Sequence, residues 1–331
     1  MKRFTNYLGN MDRLTTESQA EKKTYIHPAL KNLGAVSIVV LREAVAPVIF
    51  RNAEQEITDI EIDGEAYVRA VPNKFKYPEK SRGMQILRAY GVGGRYPQNK
   101  TAFTKKQKVS DVYDLNTFVF GDSAVHDSRV LSVKSGMLYS DGLSLLPKHK
   151  CVDETFHNRA AEDGTLFDAE NRKNSDNLFT RHFIVPGTLM VQIISTLGRL
   201  QPPEALDHLL LSIGVAGTYG GQTSVTGTNI STKMVGIYAA KFERSLTSPY
   251  EIVKMLTNDN VDCTNAEAVR KAIHTQLSAV HEKHMNSKET TAYQKDLVSR
   301  FEDSDVDLRN QYQQAANKVG DLFDNWFGPG K

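Results

Sequence analysis

The sequence predicts an α+β fold, and three observations predict it. Strand-type runs dominate the part of the 331-residue chain before residue 245, an Asp63-Gly64 turn joins two alternating runs, and helical periodicity alone follows Pro249.

Taken in order, a polar leader to about Lys31 precedes VSIVVLREAVAPVIFRN (36–52), whose branched residues and near-continuous apolar first half predict a central strand. Pro47, which has no N–H to give a ladder, marks a bend. ITDIEIDGEAYVRAV (57–71) alternates about Asp63-Gly64 and predicts a hairpin. SRGMQILRAYG (81–91) has helical spacing with Gly91 as its stop. LNTFVFG (115–121) and VLSVKSGMLY (130–139) read as strands, and 140–180 is polar, turn-rich and without strong periodicity. TRHFIVPGTLMVQIISTLG (180–198) returns to strand around a Pro186-Gly187 turn. Pro202-Pro203 opens a helix over 204–212, and MVGIYAAKF (234–242) is a last strand. Helices follow at 249–256, 265–283, 289–300 and 305–327. Strand, hairpin, helix, three strands, helix and strand fit an RRM-like (ferredoxin-like) split β-α-β sheet enlarged by insertions, with its helices on one face.

A chain of this length, 40% hydrophobic and 24% charged, can bury a sizeable core. Its net charge of +2 argues against a uniformly cationic wrapper of nucleic acid. That sum conceals a basic block from 69 to 108. There Arg69, Lys74, Lys76, Lys80, Arg82, Arg88, Arg95, Lys100, Lys105, Lys106 and Lys108 face the single acid Glu79. Interleaved Phe75, Tyr77, Tyr90, Tyr96 and Phe103 suit a surface that holds phosphates and stacks unpaired bases; the same composition also suits a solvated insertion anchored by its aromatics. Cys151 and Cys263 make no disulfide framework, and no signal peptide or membrane-length apolar run is present. A cytoplasmic protein with reduced thiols and no membrane partner is expected.

GVAGTYGGQTSVTGTN (214–229) has glycines at 214, 217, 220, 221 and 227, which let a backbone lie close to another backbone or a phosphodiester, or simply turn at the surface. It is neither a dinucleotide fingerprint nor a P-loop. His149, Cys151 and His157 lie close in sequence, but structural zinc wants four ligands and no recurring pair supplies them, so the metal content stays open and no cofactor is expected. Asp122, His126 and Asp127 lack a nucleophile at readable spacing and read as turn chemistry.

In this order VVLREAVAPVIFRN, TFVFGDSAV, the long polar insertion, TRHFIVPGT and GTYGGQTSVTGTN resemble the backbone subunit of type I-D CRISPR effector (Cascade) complexes, the Csc-type member of the Cas-seven family. The resemblance spans about 34–245 and continues more loosely through the tail. It implies an RRM-like palm over 1–245, with a basic insertion at about 69–110 and a thumb-like insertion at about 140–182, followed by a helical subdomain over 246–331. It further implies that several copies stack along a CRISPR RNA, accept any spacer through backbone contacts and present it to target DNA, or RNA, beside large, small and capping subunits. Carried onto this sequence, Arg42, Arg51, Tyr219, Gly220, Gly221, Gln222 and Thr223 line the RNA groove, and Arg181 and His182 stand at the root of the thumb. Lys74, Lys76, Arg82, Arg88, Arg95, Lys105, Lys106, Lys108 and Lys233 are the other expected contacts.

No catalytic residue is assigned. The alternative is that the same subunit is also a metal-dependent nuclease cutting the target strand at regular intervals, for which Asp59, Asp122 and Asp127 are the acids near strand ends. A small-molecule enzyme has no convergent acid–base set to support it.

Overall fold

Strand β1 (Ala35–Ala44) is buried almost throughout, as its run of branched residues requires of a strand covered on both sides. It belongs to a computed structural model that describes residues 1–8, 34–50, 57–94, 102–103, 107–126, 129–158, 167–168, 172–174, 178–199, 201–220 and 227–327. The hairpin β2 (Asp59–Ile62) and β3 (Glu65–Ala70) follows, with positive φ at both Asp63 (51°) and Gly64 (85°), the combination an Asp-Gly turn serves. Helix α1 (Asn73–Tyr90) leads to the short β4 (Ala102–Phe103) and then to helix α2 (Leu115–Phe120). Next come β5 (Asp122–His126), β6 (Arg129–Val133), β7 (Leu138–Tyr139) and β8 (Gly142–Pro147). The helical turn α3 (Lys148–Cys151) opens a ribbon of β9 (Val152–Asn158) and β12 (Leu178–Ile184), with β10 (Phe167–Asp168) and β11 (Lys173–Asn174) paired between them. Strand β13 (Leu189–Ser195), helix α4 (Pro203–Gly214) and β14 (Ile230–Ala240) return the chain to the main sheet. It ends with α5 (Pro249–Asn258), α6 (Ala266–Val280), β15 (Lys283–Met285), α7 (Ser287–Glu302) and α8 (Val306–Phe327).

The main sheet runs β15-β14-β1-β13-β8-β3-β2 and is antiparallel, with β7 also paired to β13. Alternation along β1 sends Val36, Ile38 and Val40 into a core shared with α1, α2, α4, α7 and α8, and sends Val39 and Leu41 into a second core shared with α5 and α6. Helices therefore cover both faces, where one was expected. The C-terminal helices divide between those two cores.

Two local expectations are corrected. Within 115–121, expected as a strand, Leu115–Phe120 form helix α2. Asp114 caps it by accepting from the Thr117 N–H at 3.1 Å, and Leu115, Phe118 and Val119 share a helical face on the core. The strand expected over 130–139 breaks into β6 and β7 around Ser135-Gly136. In addition, β8, inside the presumed thumb, belongs to the main sheet, and the chain leaves that sheet only at Lys148.

Candidate nucleic-acid interface

Helix α1 starts eight residues before Ser81, where its periodicity first becomes plain, and runs through Pro78. Phe75, Glu79, Gly83, Ile86, Leu87 and Tyr90 form its buried stripe, so a carboxylate is carried inward at a helical spacing otherwise filled by apolar or small residues. Gly83 is where α1 closes on its neighbours. A Cβ there would stand 2.3 Å from Asn116 Oδ1, 2.8 Å from His208 Nε2 and 2.9 Å from Ser212 Oγ.

The carboxylate of Glu79 meets Arg42 of β1. Arg42 Nη1 is 2.6 Å from Glu79 Oε1, and both side chains are fully buried. Arg42 also donates to Gln192 Oε1 from Nε (3.1 Å) and Nη2 (2.9 Å) and to Thr232 Oγ1 from Nη1 (2.8 Å), with its guanidinium 4.9 Å from the Phe75 ring centroid. Glu79 accepts from the Tyr219 hydroxyl at 2.9 Å and the Tyr139 hydroxyl at 2.5 Å. Burial opposes the Arg42 charge, but Glu79 and the two tyrosine oxygens outweigh it and hold the guanidinium above its usual pKa. Burial, reinforced by Glu79, pushes both tyrosine hydroxyls up, so they stay protonated donors. The main chain of Tyr219 is held as well. Its N–H donates to Asn229 Oδ1 at 2.9 Å, and Asn229 Nδ2 donates back to its carbonyl at 2.7 Å. Arg42 and Tyr219 are thus internal, and the expectation that they line an RNA groove is corrected: neither exposes surface to a ligand.

Above this network lies a cleft of about 570 Å³, lined by Asn73, Lys74, Lys76, Tyr77, Pro78, Lys80, Phe120, Gly121 and Gly220. Lys76 and Lys80 stand one turn apart on α1 and share a side of it. Partial burial lowers the pKa of the Lys74 ammonium. Burial also lowers that of Lys76, helped by the charges of Lys80 and Arg199. Lys80 donates to the Gly121 carbonyl at 2.7 Å and lies 3.2 Å from Asp122. Tyr77 is 65% exposed beside these cations. The arrangement favours an anion, because bringing negative charge to crowded, partly desolvated ammoniums relieves their repulsion. An apolar ring next to it offers a face for stacking.

Of the expected contacts, Lys74, Lys76 and Gly220 come together here. Arg82 and Arg88 are exposed elsewhere on α1, Arg82 donating to Gln85 Oε1 at 2.7 Å and Arg88 to the Gly94 carbonyl. Lys108 lines a different cleft, of about 500 Å³, with Asp111, Asp114, Asp321 and Asp324. Arg181 and His182 belong to β12, where His182 lies 3.5 Å from Glu154. Lys233, opposite Leu41 in the ladder, lies on the other sheet face from Arg42 and is 2.6 Å from Glu43. Arg51, Arg95, Lys105, Lys106, Gly221, Gln222 and Thr223 fall outside the described residues, as does Asp127. Asp59 pairs with Lys148 and Asp122 with Lys80. Cys151 is buried and donates to the Leu146 carbonyl at 3.3 Å, and burial raises its pKa. Among the described residues no group of three or more His, Cys, Asp or Glu could hold a metal ion. No helix among them is long and apolar enough to cross a membrane.

Sequence reasoning places Lys80 and Tyr77 in the basic block without naming them as RNA contacts, and misses Gly121 altogether. The first two are readable: Asn73, Lys76, Tyr77 and Lys80 follow the i, i+3, i+4, i+7 spacing of one helix side, once α1 is begun before Pro78.

Sequence and fold together define the class as a CRISPR protein with a mixed α/β architecture. Residues 25–320 match the family model described as Csc2 Crispr, and the chain belongs to that family. The structure is similar to the crystal structure of Thermofilum pendens Csc2, with a TM-score of 0.59 at 15% identity over 100% of this chain and 97% of that one, a likeness of fold. Weaker superpositions occur with a chain of a CRISPR RNA-guided surveillance complex, pre-nicking (TM-score 0.47, 10% identity, 80% of this chain and 99% of that one). A chain of a type IV-B CRISPR complex superimposes at TM-score 0.39 and 14% identity, over 60% and 90%. No curated protein sequence matches the chain.

Proposed function

We propose that this protein is the CRISPR RNA-binding backbone subunit of a type I-D interference complex. Several copies line up along the spacer through sequence-independent contacts and present it for pairing with target DNA, alongside large, small and capping subunits. The observation that carries this reading is the cleft lined by Lys74, Lys76 and Lys80 together with Gly220 of the glycine-rich stretch. Its cations are chemistry for phosphates and carry no base code. The palm is read as RRM-like because β14, β1, β13 and β8 adjoin in that order, with α1 following β1 and α4 following β13, the arrangement of a split β-α-β core. The β9–β12 ribbon, with Phe156 62% exposed, is read as the thumb. A cationic cleft on a chain of net charge +2 lets copies meet without strong mutual repulsion.

The test is purification in moderate salt, the 260/280 nm absorbance ratio, and size exclusion before and after ribonuclease, followed by titration with RNAs of unrelated sequence. A high ratio, ribonuclease-sensitive particles and equal affinity for all sequences are expected. A clean monomer that ignores added RNA would refute the reading.

A further inference from the structure

We infer that Glu79 and Tyr219 are positioning residues for the phosphate cleft: with Arg42 they tie helix α1, which carries the lysines, to the chain just before Gly220, and so set the spacing of the two cleft walls. The inference rests on the RNA-binding reading and adds to it what holds the site in shape.

Glu79 lies on α1 between Lys76 and Lys80 and faces inward. Its two oxygens are spent on Arg42 (2.6 Å), the Tyr219 hydroxyl (2.9 Å) and the Tyr139 hydroxyl (2.5 Å). The Tyr219 ring also stands 5.8 Å from that of Phe75, one residue before Lys76. Both contacts of Tyr219 with α1 thus bracket the turn that presents Lys76. On its other side Tyr219 is fixed through Asn229, and the next residue, Gly220, lines the same cleft as the lysines. Arg42 fastens the assembly to the sheet through Gln192 and Thr232, so β1, β13, β14, α1 and the glycine-rich stretch share one polar joint.

Stability alone does not call for charge at this place. A buried ion pair replaced by apolar side chains of similar volume commonly leaves a protein equally or more stable. What apolar contacts lack is direction. Hydrogen bonds to both carboxylate oxygens fix the rotation of α1 relative to Tyr219, and a phosphate held by several cations needs that rotation to be right.

Two variants separate positioning from mere support. Tyr219→Phe removes the hydroxyl and keeps the ring. Arg42→Met with Glu79→Leu replaces the pair by apolar volume and leaves no orphaned charge. Each is assayed by fluorescence anisotropy with a labelled oligouridylate over a range of salt, at a temperature well below the melting point measured for the same sample. The expected result for Tyr219→Phe is a drop in affinity of about tenfold or more, on the order of one hydrogen bond to a charged group. The slope of log K against log salt becomes shallower by about 0.7 for each phosphate that is no longer neutralised. The double variant melts lower, because Tyr139, Tyr219, Gln192 and Thr232 lose their buried partners, and below its own melting point it shows the same drop. Wild-type affinity and salt slope in Tyr219→Phe would overturn the inference, whether or not the double variant folds. If the unaltered chain fails to bind oligouridylate or any other RNA, the functional reading falls and this role falls with it.

Discussion

His208 supplies the sharpest test of the core beneath the cleft. Its ring is fully buried on α4, with Nε2 3.0 Å from Asn116 Oδ1 and Nδ1 3.2 Å from the Tyr312 hydroxyl. The Asn116 amide is oriented by its Nδ2, which donates to the Lys80 carbonyl at 3.1 Å, so its Oδ1 must accept. The imidazole is therefore the neutral Nε2–H tautomer, accepting at Nδ1 from Tyr312. Burial pushes its pKa down to about 3, from about 6.5. With the folded value depressed, the neutral ring's contribution is present in full above pH 6.5 and is lost progressively as pH falls below 6.5 towards 3. From pH 6.5 to 5 the loss is about 2 kcal/mol, at 1.36 kcal/mol per pH unit. Asp207 is also buried and Asp114 partly so, and desolvation raises their pKa, so they favour the fold as pH falls and work in the opposite direction. The comparison is therefore made against His208→Gln, which keeps polar atoms near Asn116 and Tyr312 and does not titrate. Urea unfolding of both proteins at pH 7, 6 and 5 should show the unaltered chain losing about 2 kcal/mol more than the variant over that range. Parallel losses in the two proteins would refute the account of a buried neutral ring.

Three further outcomes are expected. Reversal of Lys74 and Lys76 to Glu should weaken binding to RNAs of every sequence alike and reduce the salt slope by about 0.7 for each phosphate left without its cation, measured by titration at several salt concentrations. Gly83→Ala should lower stability by about 1–2 kcal/mol net in urea unfolding, because an overpacking cost of ~2–3 kcal/mol against Asn116, His208 and Ser212 exceeds the ~1 kcal/mol that alanine gains in a helix interior. A magnesium assay on target strands should yield no regular cleavage products that Asp59→Ala or Asp122→Ala abolishes; their appearance would make the RNA-binding subunit a nuclease as well.

The elements legible in the sequence are those whose signals are local. Asp63-Gly64 announces its hairpin because both residues adopt positive φ, and the helices after Pro249 announce themselves by their stripes and by the Asn265 cap of α6. LNTFVF misleads because six apolar and polar residues fit either period, and the cap from Asp114 decides for helix. Pro78 conceals the first two turns of α1, the part that bears Lys74, Lys76 and Tyr77. Arg42 resembles a phosphate ligand in the sequence, as an arginine on a strand does, whereas its fate is set by a carboxylate 37 positions later in the chain that packing brings to 2.6 Å. The cluster of basic residues in sequence likewise disperses in space, since one helix turns Lys74 and Lys76 toward the cleft and Arg82 and Arg88 away from it.

Among the described residues, a sheet with helices on both faces meets the outside along its rims. At one rim, β2 carries exposed Asp59 and Glu61; at the other, β15 is three residues long and bears exposed Lys283 and His284. A short or charged margin is a poor template for a foreign strand, because a second copy of β2 laid against the first would set acid against acid. Contacts between molecules are then left to side chains and loops, joints that can form and part without any strand having to be unzipped.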